Sequence, residues 1–308
     1  MKYDFYEKQV RLLLKVLPIV ATEKIFALKG GTAINFFIRD LPRLSVDIDL
    51  TYIPLESREL SILNINEGLS RISNKISSLG LNFSEKINAQ GLKKLNVYDK
   101  DRTSIKIEPN YLLRGTVLPV EKKRVVKAVS DIFSMSASIN VLNFNELYAG
   151  KICAALDRQH PRDLFDVKLL IESEGLTRDI LDIFIIYLIS HNRPLNEMLN
   201  PNFSDIKNMF EREFKGMTNY DISLEDLINT RLELVDIIKN SLTKDDKEFL
   251  LSFKKGNPDW SLSKYPDSSK LPSVSWKLSN IKKMSSEKHK EQLLKLTDLL
   301  DSISQSSN

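Results

Sequence analysis

The chain has 308 residues, of which 42% are hydrophobic and 28% charged, with a formal net charge of +4. This length accommodates two domains with buried cores, and the mild positive charge permits contact with nucleic acid without requiring it. One cysteine, Cys153, excludes a disulfide scaffold and suits a reducing cytoplasm, and three dispersed histidines with no ligand spacing argue against zinc.

In chain order, Tyr3 to Ala21 reads as an amphipathic helix with Val10, Leu13, Leu14 and Leu17 on one side. Acidic residues among its apolar ones argue against a signal peptide, and no apolar window reaches membrane-spanning length. A strand is predicted over Ile25 to Lys29, a helix over Thr32 to Arg39, and a second strand over Val46 to Ile53. Arg58 to Leu79 reads as a long helix closed by Gly80. Short runs follow that read as strands: LNFSEKI, LKKLNVY, TSIKIEPNY, VLPVEKKRVV and ASINVL. From Asn143 onward helical periods dominate: Asn145 to Asp157, Pro161 to Glu172, Thr177 to Ile189, Leu224 to Asn240 and Thr243 to Lys254. The tail reads as one more amphipathic helix and a frayed polar end. The expected fold is therefore an α/β lobe with a mixed sheet over residues 1–143, followed by an all-helical lobe over 144–308.

The densest chemistry lies in residues 28–50, LKGGTAINFFIRDLPRLSVDIDL. Side chains two apart on a strand share a face, so Asp47 and Asp49 point together while Val46, Ile48 and Leu50 point to a core. Adjacent carboxylates repel unless a cation lies between them, and magnesium (or manganese) favours carboxylate oxygen together with substrate phosphate. Gly30 and Gly31 allow a tight strand-to-helix turn, with Thr32 supplying a hydroxyl at the helix start, where free N–H groups favour phosphate. Arg43 and Ser45, just before the second strand, are candidates to touch that phosphate; Ser45 equally suits a loop cap. Each piece alone is weak. Joined in this order they specify a phosphate cradle beside a divalent-metal mount.

These residues resemble the signature of the AbiEii-type nucleotidyltransferases, toxins of bacterial abortive-infection and type IV toxin–antitoxin systems within the DNA polymerase beta-like superfamily. The resemblance covers residues 28–50, 103–110 and 145–170, with a weaker echo at 271–281. It implies a metal site on Asp47 and Asp49, a third acid on a later strand, and a triphosphate held by Gly30, Gly31 and Thr32. Ser104-Ile105-Lys106-Ile107-Glu108 alternates strictly, which places Lys106 and Glu108 on one face and makes Glu108 the candidate third acid. A plain Glu108–Lys106 surface pair is the alternative.

The second constellation is NELYAGKICAALDRQHPRDLFDVKLL, residues 145–170. Lys151 and Arg158 lie two turns apart on one helix, and Pro161 suits the first turn of the next. Asp163 and Asp166 then share a side. This resembles the family's helix lysine followed by an Arg-Asp segment, here Arg162-Asp163. It implies that Lys151 and Asp166 serve catalysis, while Asp163 and Arg158 position them or contact nucleotide. A helix–helix salt-bridge cluster is the structural alternative. Lysines at 122, 123, 127, 254, 255, 277, 282 and 283 could line a groove for RNA or simply be solvated, and Trp276 suits anchoring of the tail, with stacking on a base as the alternative.

The resemblance implies a magnesium-dependent enzyme that moves a nucleoside monophosphate from an NTP, with the 3′ end of a tRNA as acceptor and growth arrest as the outcome. A separately encoded antitoxin is the implied partner, not required to bind directly. A kinase-like phosphotransferase, a protein or small-molecule nucleotidyltransferase, and a non-catalytic nucleotide-binding protein are the competing readings.

Overall fold

A computed structural model describes residues 2–305. The chain divides into two compact units, residues 1–147 with 213–221, and residues 148–212 with 222–308.

The first unit is built on a seven-stranded mixed sheet. Helix α1 (Lys2–Val20) precedes β1 (Phe26–Lys29), which turns through α2 (Gly30–Ala33) and a π-helical turn (Ile34–Ile38) into β2 (Asp47–Tyr52). Helix α3 (Arg58–Ser78) leads to β3 (Asn82–Ile87), β4 (Lys93–Tyr98), β5 (Ser104–Asn110) and β6 (Glu121–Arg124), then α4 (Lys127–Phe133) and β7 (Ser138–Val141). The strand order is β3-β4-β5-β2-β1-β7-β6. β2 is central, antiparallel to β1 and parallel to β5. Period-two alternation sets which residues enter the core: Ile48, Leu50, Ile105 and Ile107 are fully buried, whereas Asp47, Asp49 and Glu108 are half-buried. α1 and α3 pack against each other and on the sheet, and α1 contributes Val10, Leu13, Leu14 and Leu17 to the core. α3 starts where Ser57 accepts a hydrogen bond from Leu60 N–H, and it ends before Gly80.

The second unit is helical. α5 (Phe144–Arg158) begins in the first unit and continues into the second, followed by α6 (Pro161–Glu172), α7 (Arg178–Ser190), α8 (Leu195–Leu199) and α9 (Lys207–Met209), which runs on as a π-helical turn. α10 (Leu224–Ser241), α11 (Lys244–Lys254), α12 (Pro272–Lys282) and α13 (Ser286–Gln305) complete it. α7 is apolar on nearly every side, which suits the centre of a helical unit; α8, α11 and α12 pack on it. Helices α10 and α11 start on explicit caps. Ser223 with Asp226 and Thr243 with Asp246 form reciprocal capping boxes, each satisfying two otherwise orphaned N–H groups. The polar end expected after the last helix falls at 306–308, outside the described residues.

The expected division into an α/β part and a helical part is thus the observed fold, with one addition. Residues 213–221, far along the helical stretch, belong to the α/β unit. Leu44 N–H donates to the Met217 carbonyl at 2.7 Å, Thr218 Oγ1 donates to the Pro42 carbonyl at 2.7 Å, and Arg43 and Thr218 form a β-bridge. Among the described residues, no helix is long and apolar enough to cross a membrane.

Candidate active site

The turn between β1 and α2 depends on both glycines, for different reasons. Gly30 has φ +71°, a conformation that side-chain-bearing residues rarely adopt, and a Cβ there would stand 2.5 Å from Asp49 Oδ2. Gly31 has ordinary φ, but its Cβ would meet Arg43 Nη2 at 2.5 Å and Ser45 Oγ at 3.1 Å. The carboxylate of Asp49 and the guanidinium of Arg43 therefore both press on the backbone of this turn. Arg43 is almost wholly buried, and Nη1 donates to the Leu44 carbonyl at 2.9 Å.

Thr32 acts differently from a capping hydroxyl. The helix begins at Gly30, so Thr32 lies inside the first turn and is buried. Its hydroxyl bonds to the Asp47 carbonyl at 2.5 Å and to Ser45 Oγ at 3.0 Å. Thr32 and Ser45 thus latch the helix to the start of β2. Asn35 Nδ2 donates to the Gly31 carbonyl at 2.9 Å and fixes the far side of the same turn.

Strand register places further charges on the carboxylate face. Lys29 on β1 and Glu108 on β5 are the direct neighbours of Asp49, and Lys106 is the neighbour of Asp47. Glu108 is therefore beside the aspartate pair, where the alternation pattern put it. Its carboxylate accepts from Lys94 Nζ at 2.7 Å rather than from Lys106. Among the described residues, no three histidine, cysteine or acidic side chains are grouped to hold a metal. Two carboxylates suffice for magnesium when phosphate oxygens and water supply the other ligands. The space above Gly30, which a Cβ would fill, is what brings the Asp49 carboxylate against the turn.

In the second unit the Lys151 constellation comes together as a closed ion cluster. Lys151 Nζ lies 2.8 Å from Asp163 Oδ1 and 3.0 Å from Asp166 Oδ2, with Lys151 only 5% exposed. Arg158 reaches Asp163 through Nε at 2.6 Å and Nη2 at 3.0 Å. Burial alone would raise the Asp163 carboxyl, but the Lys151 charge and the Arg158 hydrogen bond hold it well below the usual carboxylate range. The tight connection from α5 to α6 makes this possible: Gln159 adopts φ +51°, His160 Nδ1 accepts from Arg162 N–H at 3.1 Å, and Pro161 opens α6. Arg162 is half-buried. Trp276 lies on α12 and is 41% exposed.

Sequence reasoning missed the strap at Met217–Thr218, because no local pattern marks a residue that pairs across 173 positions with Leu44. Its only local signal is the Gly216 turn after an aromatic-rich segment.

Comparison with known proteins bears on this geometry. No curated protein sequence gives a match. MenT4, a nucleotidyltransferase toxin from Mycobacterium tuberculosis H37Rv, is similar in structure, with a TM-score of 0.62 over 90% of this chain and 93% of that one, at 14% identity. At that identity the likeness bears on the fold alone. The family model of the nucleotidyl transferase AbiEii toxin of type IV toxin–antitoxin systems matches residues 11–280, a span that includes both acid clusters and the strap. The chain belongs to the AbiEii family of nucleotidyltransferase toxins.

Proposed function

We propose that this enzyme transfers a nucleoside monophosphate from an NTP to the 3′ end of a tRNA, with a divalent cation, magnesium or manganese, held by Asp47 and Asp49. The observation that carries the reading is the approach of Asp49 Oδ2 to Gly30, which joins a carboxylate pair and a glycine turn at a helix start in one place. The bound ion would neutralise phosphate charge and acidify the attacking hydroxyl. The chain's own residues do the rest. Gly30 and Gly31 let the triphosphate approach the backbone, Arg43 and Ser45 donate to its oxygens, and Thr32 keeps the turn fixed to β2. The acceptor oxygen bonds to the α-phosphorus as the bond to the β-phosphate oxygen breaks, releasing pyrophosphate. Glu108 serves as third ligand to the ion or as the base that takes the attacking hydroxyl's proton, releasing Lys94 as it does so.

Lys151 and Asp166 belong to the proposed machinery as the pair that offsets charge on the transferred group, with Asp163 and Arg158 holding them. The depth of Lys151 favours a second reading, in which the cluster only ties α5 to α6. Addition of nucleotides to tRNA would block translation and arrest growth in the cytoplasm. A separately encoded antitoxin would oppose this without needing to touch the toxin.

The experiment is incubation of the protein with total RNA and each α-labelled NTP in turn, with magnesium. Label in the tRNA band confirms acceptor and reaction together. Label from γ-NTP but not α-NTP would replace nucleotidyl by phosphoryl transfer, and label confined to protein would replace the acceptor. Expression of the wild type should slow growth, whereas Asp49→Asn at equal soluble level should not.

A further inference from the structure

Buried cations in the helical unit are not all treated alike. Lys151 sits on two carboxylates. Lys254 and Lys277, 4% and 8% exposed, have none within ion-pair distance among the described residues, and both line one cavity of about 230 Å³ together with the exposed Lys288. Asn280 and Gln292 add neutral amides, and no aspartate or glutamate lines it. Lys254 Nζ donates one hydrogen bond, to Gln292 Oε1 at 2.5 Å, which turns the Gln292 amide N–H groups elsewhere. Lys277 Nζ is fully used by the carbonyls of His191 and Arg193 at 2.6 Å each and Asn192 at 3.1 Å, just past the end of α7.

Helix ends account for part of this charge only. A helix C-terminus is worth roughly half a negative charge. The ends of α7 and α11 together therefore offset about one of three ammonium charges, and Glu197 pulls on Lys277 only from a distance. Burial and the neighbouring lysines push both amines down, Lys277 to about 8. Glu291, paired with Lys295, also acts on Lys288 from outside the cavity lining, so a net positive charge faces a small cavity with hydrogen-bond donors to spare, which complements a phosphate group.

We propose that this cavity is a phosphate-binding pocket, in which Lys254 and Lys288 bind the oxyanion and Lys277 contributes charge from the wall. The phosphate could belong to an RNA backbone or to a free nucleotide; only the RNA assignment rests on the function proposed above.

The test uses the full chain, with inorganic phosphate against chloride at equal ionic strength. Lysine acetylation read by mass spectrometry should show saturable protection of Lys288 by phosphate but not of the neighbouring Lys282 and Lys283. Calorimetry should show that Lys254→Gln weakens phosphate binding about tenfold and that Lys288→Glu removes this class of site. Since Lys288 is exposed, its variant decides the matter even if Lys254→Gln folds poorly. The same protection should persist in Asp49→Asn, whether or not the nucleotidyl-transfer reading holds. If RNA supplies the phosphate, Lys288→Glu should weaken binding of a single-stranded oligoribonucleotide and reduce its log–log salt slope by about 0.7. If a nucleotide supplies it, NTP affinity should fall instead. Equal acetylation of Lys288 in phosphate and chloride, or unchanged phosphate affinity in Lys288→Glu, would overturn the pocket.

Discussion

Two pairs of aspartates stand in this molecule, and the same side chain has opposite circumstances in each. Asp47 and Asp49 lie two apart on a strand whose intervening residues fill the core, so both carboxylates emerge half-buried on one face. Asp163 and Asp166 lie three apart on a helix and are fully buried on Lys151, with Arg158 closing over Asp163. A buried charge must be matched where it lies, and the match consumes its hydrogen-bonding capacity. Asp47 and Asp49 keep part of each side chain open to solvent, with Lys29, Lys106 and Glu108 beside them in register. The difference teaches that spacing finds acid pairs, whereas burial decides whether a carboxylate is enclosed on a lysine or left partly open to solvent.

Exchange of either strand aspartate should have the largest effect. Asp49→Asn and Asp47→Asn should each lower transfer from α-labelled NTP by about 1000-fold or more, as expected when a charge that holds a catalytic ion is lost. The melting temperature should change little by comparison, because both side chains lie off the apolar core. Near-normal turnover in either variant would remove the metal assignment.

The helix pair should behave in the reverse sense. Asp163→Asn leaves the Lys151 ammonium buried with half its partners and should cost about 3–5 kcal/mol of stability, read by denaturant unfolding. The wild type should show the same dependence in acid. Because the folded Asp163 carboxyl is held below its unfolded value of about 3.9, its contribution is complete above that pH and is lost as pH falls below it. A flat stability profile below pH 4 for the wild type, relative to Asp163→Asn, would contradict this. Lys151→Ala separates the cluster's two readings. Loss of turnover by about 100-fold at a temperature where the variant remains folded assigns it to the reaction, and loss of stability alone assigns it to the α5–α6 joint.

Much of this contrast was legible before any coordinates. Strict alternation around Asp47, Asp49 and Glu108 gave their shared face, because a strand's period of two leaves little choice. Pro161, Thr177 and Thr243 announced helix starts through local chemistry, and those starts are observed. What was hidden depends on distant pairing. Lys94, not the adjacent Lys106, takes the Glu108 carboxylate because β4 runs antiparallel beside β5. Thr32 reads as a cap because hydroxyls are common there, yet its partner is a strand carbonyl 15 residues on. Helix α12 carries little sequence signal although Pro272 stands at its first turn, since its apolar period is weak. The depth of Lys151 could not be read either, because helix spacing fixes direction and not burial.

Gly30→Ala tests whether the strand pair depends on its turn. Alanine at φ +71° costs about 1–2 kcal/mol in backbone strain, and its Cβ would stand 2.5 Å from Asp49 Oδ2. The carboxylate must move, so turnover should fall more than stability, by about 100-fold against a small drop in melting temperature. If activity is retained, the Asp49 carboxylate does not need its place against the turn.

Thr218→Val gives the smallest effect and the finest test, because Thr218 touches neither acid pair. Its hydroxyl holds the Pro42 carbonyl, and its backbone bridges Arg43, whose guanidinium lies against Gly31. Valine keeps the shape and removes the donor, so the stability cost should be about 1 kcal/mol. If the strap positions Arg43 for the triphosphate, KM for NTP should rise several-fold with kcat little changed, and Thr218→Ser should restore it. The decisive comparison is made in an Arg43→Ala background. There the valine substitution should leave KM unaltered, since the group it positions is gone; an equal rise in both backgrounds would make the strap a structural tie with no part in substrate binding.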